Sequence, residues 1–149
     1  MSNISIRQAV LADIEALSVL FDGYRQFYGK ESDVAAAKQF LLDRFEHGES
    51  VLFIAHDGAN PVGFTQLYPS FSSVSLGRIF VLNDLFVNEG GRRKGVASGL
   101  LSASIDFARA VGAIRLGLST SLTNTTAQAL YEGEGWERDD DFFYTYSIR

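Results

Sequence analysis

Two arginines and a lysine lie between glycines in the segment GGRRKGVASGLL, residues 90–101. From Arg92 to Ala97 it reads Arg-x-x-Gly-x-Ala, and the following residues repeat apolar side chains at helical spacing. The first N–H groups of a helix lack intrahelical partners, and the helix dipole adds positive potential there. Because a glycine lets an anion approach closely, the segment predicts a cradle for a phosphate or pyrophosphate. The alternative is a solvated turn, since short glycine motifs also occur without a ligand.

A polar pair, Asn83 and Asp84, interrupts the apolar run RIFVLNDLFV. Polar side chains in a buried strand need hydrogen-bond partners, because burying them unpaired costs free energy. Asp84 is therefore a candidate base, a candidate anchor for a cationic substrate, or a structural hydrogen-bonding residue.

A third group of polar residues lies in NTTAQALYEGEGW, residues 124–136. In a helix, Asn124 and Tyr131 are two turns apart and share one face with Gln128. A tyrosine hydroxyl can act as a general acid. The alternative is that Tyr131 is a half-buried aromatic side chain that packs against a sheet.

Composition limits the classes of function. The 149 residues are enough for one domain with a core, and we expect a single domain over residues 1–149. The net charge of −5 argues against a nucleic-acid partner. The absence of cysteine excludes thiol catalysis, and two histidines are too few for a metal cluster, so we expect no metal. Without a signal-peptide pattern or a membrane-spanning apolar run, we expect a cytoplasmic protein with no membrane partner.

Hydrophobic periodicity indicates the elements that position these residues. The order is a strand, two helices, three strands, a helix, a strand, a helix, and one or two strands. The last of these is FFYTYSI, residues 142–148. Helices and strands alternate after residue 90, which favours crossover connections beside an antiparallel meander. We predict an α/β (α+β) fold with a mixed, mostly antiparallel sheet of six to seven strands and helices on both faces.

The chain resembles the GCN5-related N-acetyltransferases. Their signature is a strand followed by Gln/Arg-x-x-Gly-x-Gly/Ala at the start of a helix, here NDLFVNEGGRRKGVASGLL. The segment NTTAQALYEGEGW is similar to a second family motif, and ISIRQAVLADIEAL to the usual first strand and helix. The resemblance covers almost the whole chain. It implies splayed central strands, acetyl-CoA as co-substrate, and direct transfer of an acetyl group to an amine.

The resemblance also implies roles for the candidate residues. The amides from Arg92 to Ala97 would bind the pyrophosphate of coenzyme A, and the pantetheine arm would run along residues 85–87 and contact Asn124. Tyr131 would protonate the departing thiolate, and a bulge at Asn83 and Asp84 would direct a backbone amide at the acetyl carbonyl. The candidate catalytic residues are Tyr131 and Asp84. The candidate cofactor-binding residues are Leu85, Phe86, Val87, Arg92, Arg93, Lys94, Gly95, Val96, Ala97, Ser98, Asn124, Ala127 and Tyr131.

The acceptor is narrowed by a further resemblance. The segment from residue 68 to 87 is similar to the diamine and polyamine acetyltransferases, but Asn83 and Ser119 replace acidic residues of that branch. Aromatic residues in YRQFYGKESD, residues 24–33, would suit an alkyl amine or another cation. The candidate substrate-binding residues are Tyr24, Tyr28, Asn83, Asp84 and Ser119. We expect a small-molecule amine acceptor, such as a polyamine or an amino acid.

Two other functions fit the same motifs: acetylation of a protein N-terminus or lysine, and binding of acyl-CoA without turnover. Homodimers are frequent in the family, and FFYTYSI offers an edge or a face for one, so we expect a homodimer.

Overall fold

The computed structural model describes residues 3–149. Its elements, in chain order, are β1 (Ile4–Gln8), a 3-10 turn (Leu11–Asp13), α1 (Ile14–Phe27), α2 (Val34–His47), β2 (Val51–Asp57), β3 (Asn60–Ser72), β4 (Gly77–Val87), a 3-10 turn (Glu89–Gly91), α3 (Val96–Ala110), β5 (Arg115–Gly117) and α4 (Thr125–Gly133). Two compact units are present: one extends to Ser119, and the other is Thr120–Arg149.

The strands form one five-stranded sheet in the order β1-β2-β3-β4-β5. Neighbours pair antiparallel from β1 to β4, whereas β4 and β5 are parallel and are connected through α3. The predicted class, a mixed and mostly antiparallel α/β sheet, is confirmed. No helix within residues 3–149 is long and apolar enough to cross a membrane.

Helices α1 and α2 cover one face of the sheet. Apolar residues at helical spacing along α1 are buried against side chains of β2 and β3. Helix α2 is capped at its start by Asp33, whose Oδ1 accepts from the Ala36 N–H at 3.0 Å, and at its end by Gly48 with φ 61°. The core of this layer comprises Ala9, Ile14, Leu17, Leu20, Phe21, Ala37, Leu41, Leu52, Ile54 and Phe64.

The connection between α1 and α2 is held by one buried carboxylate. Asp22 accepts hydrogen bonds from the Ser32 hydroxyl at 2.7 Å, the Asp33 N–H at 2.7 Å and the Gln26 amide at 2.9 Å. Burial alone would raise the pKa of Asp22, but these hydrogen bonds outweigh it and lower the pKa. The start of α2 is thereby fixed to α1.

Helix α3 covers the opposite face. Phe107 packs edge-on against Phe53 and Phe80, with ring centroids 5.8 Å and 5.5 Å apart. Gly63 on β3 allows a close approach, because a Cβ there would lie 2.9 Å from the Phe86 carbonyl oxygen and 3.1 Å from Val96 Cγ1. Helices therefore lie on both faces, as predicted.

The pairing of β4 with β5 is short. It joins only residues 79–81 to residues 115–117, so β4 continues from residue 82 to residue 87 without pairing to β5. Strand β5 itself has only 3 residues, Arg115–Gly117. The expected divergence of the central strands is confirmed.

The predicted final strand is wrong. The structure forms no strand in residues 142–148, and its sheet therefore has five strands rather than six to seven. The alternation in FFYTYSI meets the side-chain requirement of a strand, but a strand also needs a neighbouring backbone with which to pair. Side-chain alternation carries no information about that neighbour.

Candidate functional site

A bulge in β4 lies at the predicted polar pair. Gln66 of β3 is opposite Asp84, whereas the next residue, Leu67, is opposite Leu82. Asn83 is therefore the extra residue, and the ladder shifts at this point. The bulge that the family resemblance implied at Asn83 and Asp84 is present.

The Asp84 carboxylate is buried and hydrogen-bonded. Only 3% of Asp84 is exposed. Its Oδ2 accepts from Gln66 Nε2 at 2.5 Å, and its Oδ1 accepts from Asn83 Nδ2 at 3.0 Å. The Thr65 hydroxyl donates to the Asp84 carbonyl oxygen at 2.7 Å. Asp84 thus has the hydrogen-bond partners that its buried position requires, whereas Asn83, the bulged residue, is exposed.

Burial changes the acidity of this carboxyl group. Desolvation raises the pKa of Asp84, and the hydrogen bonds from Gln66, Asn83 and Tyr24 offset the effect only in part. Burial, together with the negative charge of Asp84, raises the pKa of Tyr68 to about 12. The same two causes raise the pKa of Tyr24 well above its usual range. Asp84 therefore accepts a proton more readily than an exposed aspartate does, which suits a base.

Aromatic rings from α1 surround the bulge. The Tyr24 hydroxyl donates to the Asn83 carbonyl oxygen at 3.3 Å, and its ring centroid is 6.4 Å from that of Phe86. Tyr28 packs edge-on against Tyr24 at 5.1 Å and is 64% exposed. Of the predicted substrate-binding residues, Tyr24, Tyr28, Asn83 and Asp84 are therefore connected to one another. Ser119 is exposed in the segment after β5 and takes no part in these contacts.

Three residues of this centre were missed at the level of the sequence. Thr65, Gln66 and Tyr68 lie on β3, and the first two are fully buried. A signal for them was available, because Thr65 and Gln66 form a polar pair in the apolar run VGFTQLY, like Asn83 and Asp84 in β4. Only the register between the two strands shows that the pairs face each other.

The basic glycine segment forms an exposed turn before α3. The turn covers residues 92–95, with φ 62° at Arg93 and φ 74° at Gly95. Gly95 is the N-cap of α3, and no side chain caps this end of the helix. A Cβ at Gly95 would meet nothing within 4 Å, so the approach to the uncapped amides is open.

Other contacts hold this turn in place. Gly91 is buried and closely packed, and a Cβ at this position would lie only 2.8 Å from Val62 Cβ. The Lys94 ammonium lies 2.6 Å from Asp57 Oδ2, a contact that lowers the pKa of Asp57. The predicted charge of Lys94 is thus partly neutralised by the end of β2, whereas Arg92 and Arg93 are exposed.

The remaining predicted cofactor residues of this unit lie on either side of the turn. Leu85, Phe86 and Val87 are half-buried in the part of β4 that does not pair with β5. Val96 is buried, and Ala97 and Ser98 are half-buried in the first turn of α3. Open amides, two exposed arginines and an available strand edge fit the pyrophosphate and pantetheine parts of coenzyme A.

The second unit contains the third motif. Asn124 is the N-cap of α4, where its Oδ1 accepts from the Ala127 N–H at 3.1 Å. Gln128 Nε2 donates to the carbonyl oxygens of Ser121 and Leu122 at 3.0 Å and 3.1 Å. Tyr131 is half-buried, with its ring centroid 6.2 Å from that of Trp136. The predicted helix is present, Asn124 caps it rather than lying within it, and Gln128 fixes the preceding turn.

Within residues 3–149, the structure contains no group of three or more His, Cys, Asp or Glu side chains that could hold a metal ion. Asp84 is a candidate for proton transfer, and the open amides before α3 are candidates for binding an anion.

Comparisons with known proteins agree with this arrangement. The model of the acetyltransferase (GNAT) family matches residues 15–136. A protein of Bacillus subtilis (strain 168) named uncharacterized N-acetyltransferase YhfO is 48% identical over 140 residues, which cover 94% of each chain. A crystal structure of a probable acetyltransferase is 42% identical, with a TM-score of 0.91 over 97% of this chain and 98% of the other. A Caenorhabditis elegans protein named thialysine N-epsilon-acetyltransferase is 27% identical over 145 residues, 91% of this chain and 90% of that protein.

Proposed function

Since the chain belongs to the acetyltransferase (GNAT) family, we propose that this N-acetyltransferase transfers an acetyl group from acetyl-CoA directly to a primary amine of a small molecule. Members of the family use acetyl-CoA, and similar proteins are named N-acetyltransferases. The acceptor class we propose is a polyamine, an amino acid or a similar small amine.

The observation that carries the acceptor class is the buried Asp84 carboxylate beside tyrosine rings. A carboxylate with Tyr24 and Tyr68 close to it attracts a cation electrostatically, and aromatic faces add a further attraction. The substrate named for the C. elegans relative, thialysine, also carries a primary amine on a small molecule. Both points support a cationic amine of low mass.

For the cofactor, we propose that the amides and arginines of residues 92–98 hold the pyrophosphate. The open edge of residues 85–87, together with Asn124, Ala127 and Tyr131, would hold the pantetheine arm. When bound, acetyl-CoA supplies an acetyl group activated as a thioester. We also propose that residues 1–149 form one domain, which the family match over residues 15–136 supports.

In this proposal Asp84 acts as the general base and Tyr131 as the general acid. Asp84 takes a proton from the acceptor ammonium, which leaves a lone pair on nitrogen to attack the acetyl carbon. The backbone at the Asn83 bulge stabilises the negative charge that develops on the carbonyl oxygen. Tyr131 would give its proton to the sulfur as the carbon–sulfur bond breaks. The nitrogen would lose its second proton to solvent as the amide forms, and a proton from solvent would restore the Tyr131 hydroxyl. The chain has no cysteine, so no acyl-thiol intermediate forms on the protein.

We also propose a homodimer and a cytoplasmic location, as expected from the family and from the sequence. Neither the homodimer nor the location changes the proton transfers proposed for Asp84 and Tyr131.

The proposed function is tested by acetyl-CoA-dependent thiol release with polyamines, amino acids, aminoglycosides and short peptides as acceptors. The chain contributes no thiol background, because it has no cysteine. We expect saturable release with a small amine. Release with peptides alone would instead indicate a protein acetyltransferase, and thermal stabilisation by acetyl-CoA without any release would indicate a binding module.

A further inference from the structure

Gln66 has a buried side-chain amide that is hydrogen-bonded through its nitrogen. Its exposed fraction is 0%, and it lies on the central strand β3. Its Nε2 donates to Asp84 Oδ2 at 2.5 Å, whereas its buried Oε1 has no hydrogen-bond partner among residues 3–149. A buried acceptor without a partner is unfavourable, so its retention beside a buried carboxyl group needs a physical reason.

An amide side chain has two faces of opposite character. With Nε2 toward Asp84, it donates to the ionised carboxylate. After a half-turn of the amide group, Oε1 would accept from the hydroxyl of a protonated Asp84. In either orientation one amide atom faces Asp84 and the other is unpartnered, so the two orientations make the same number of hydrogen bonds.

We infer that Gln66 is a positioning residue that hydrogen-bonds Asp84 in both of its charge states, so that this carboxyl group can take up and release the acceptor's proton without moving. The inference rests on the proposed role of Asp84. Asn83 cannot replace Gln66 in this role, because its side chain is exposed to solvent and water can meet its needs.

During the proton transfer, one N–H bond of the acceptor ammonium breaks and its electron pair stays on nitrogen. The proton forms an O–H bond on Asp84 Oδ2. That hydroxyl then donates to Oε1 of the turned Gln66 amide. Release of the proton to solvent returns the carboxylate and the starting orientation of Gln66.

The other groups that face Asp84 do not perform this exchange. Tyr24 from α1 and Tyr68 from β3 are the titratable neighbours, and Arg44 from α2 acts on Tyr68. Their own pKa values are raised, so both phenols keep their protons where Asp84 titrates. Tyr24 donates its hydrogen bond to the Asn83 carbonyl oxygen, and neither phenol changes its protonation with the charge of the carboxyl group.

The direct test follows two resonances by NMR: the carboxyl carbon of Asp84 and the side-chain NH₂ of Gln66. We expect the Gln66 NH₂ resonances to titrate with the same midpoint as the Asp84 carboxyl carbon. In Asp84→Asn this titration should vanish. A Gln66 NH₂ signal that stays constant through the titration of Asp84 would overturn the inference.

The variant Gln66→Met keeps a similar volume and removes both amide groups. Both charge states of Asp84 then lose a hydrogen bond. The bond to the ionised form is charge-assisted and therefore the stronger of the two, so the titration of Asp84 moves to higher pH. On the acid limb of the pH profile, kcat/KM should fall about tenfold at fixed pH, as expected for one hydrogen bond to a charged group. Thr65→Val is the matched control: it removes a buried hydrogen bond to the Asp84 backbone and leaves both pH midpoints unchanged.

Failure of the inference and failure of the proposed function give different results. If Asp84 titrates at the wild-type pH in Gln66→Met, Gln66 does not set its charge and the inference is wrong. If the Asp84 midpoint moves while the acid limb of kcat/KM stays, the effect of Gln66 stands, but Asp84 is not the base in turnover. If Gln66→Met does not fold, the NH₂ titration of the wild-type protein decides alone.

Discussion

Two aspartates of this chain show how their surroundings set the acidity of one side-chain type. Asp84 is buried in the sheet, and desolvation raises its pKa. Asp13 lies near the surface, where Arg7 donates two hydrogen bonds at 2.8 Å and 2.7 Å and lowers the pKa of Asp13 to about 2. An unfolded aspartate titrates near ~3.9. The two residues therefore contribute to stability with opposite dependence on pH.

We predict that Asp84→Asn stabilises the protein at neutral pH while abolishing acetyl transfer. Because the folded pKa of Asp84 is raised, its stabilising contribution is complete below the unfolded pKa and is lost as pH rises through the folded value. The gain in unfolding free energy should therefore shrink as pH falls toward ~4. Urea unfolding at a series of pH values measures it.

The control for this prediction is Asp13→Asn. Its folded pKa is lowered to about 2, so its contribution is present above the unfolded pKa and is lost as pH falls. This variant should lose at most about 1 kcal/mol at neutral pH, since the ion pair is near the surface. Equal behaviour of the two variants across pH would contradict the opposite shifts.

We predict that Tyr131→Phe lowers turnover without weakening the binding of acetyl-CoA. Loss of a general acid should lower kcat by on the order of a hundredfold or more, while the ring and its packing near Trp136 remain. The Kd of acetyl-CoA, measured by calorimetry, should stay within about twofold. Unchanged turnover would show that Tyr131 has only a packing role.

The turn before α3 allows an effect on stability to be distinguished from an effect on cofactor binding, because α2 ends at a comparable glycine. Gly95 has φ 74° and open space at its Cβ position, and it ends a turn that carries two exposed arginines. Gly48 has φ 61° and equally open space, but it ends α2. The two glycines have the same conformational requirement and differ in their expected relation to the cofactor.

We predict that Gly95→Ala and Gly48→Ala each cost about 1–2 kcal/mol of stability, because alanine is strained at positive φ. Only Gly95→Ala should also lower the affinity for acetyl-CoA, because its methyl group would project where we expect the pyrophosphate to approach. Thermal shift at a ligand concentration of about 100 Kd should give roughly 2.7 kcal/mol of stabilisation for wild type and Gly48→Ala. An equal thermal shift in Gly95→Ala would place the cofactor phosphates elsewhere.

On the surface of the whole molecule, the end of β3 and the turn that follows it carry exposed apolar side chains. Phe71 of β3 is 68% exposed, and Val74 and Leu76 of the turn are 98% and 92% exposed. Exposed apolar patches of this kind are frequent at protein–protein contacts. This patch supports the proposed homodimer.

We predict that light scattering at micromolar concentration gives twice the mass of the chain. Val74→Asp should lower this mass toward that of a monomer, because it places a charge in the apolar contact. Val19→Asp is the control, since Val19 is 63% exposed on α1, away from this turn in the chain. A monomeric mass for the wild-type protein would contradict the dimer.

Local sequence patterns predict the helices and the chemistry of single segments. Apolar periodicity, the Asp33 cap and the Gly48 stop define α2 without reference to any neighbour, because caps and helix faces are local properties. The same holds for the turn at Gly95 and for the cap at Asn124. The polar pair at Asn83 and Asp84 was also visible as a break in an apolar strand.

The surroundings of these side chains depend on contacts between residues that are far apart in the chain. Gln66 and Tyr68 reach Asp84 only through the register of β3 with β4, a pairing between residues far apart in the chain. The raised pKa of Asp84 follows from burial by that pairing and by α1, and not from its sequence neighbours. The expected strand at residues 142–148 failed for the same physical reason. Strand pairing and desolvation depend on non-local neighbours, and side-chain periodicity does not specify them.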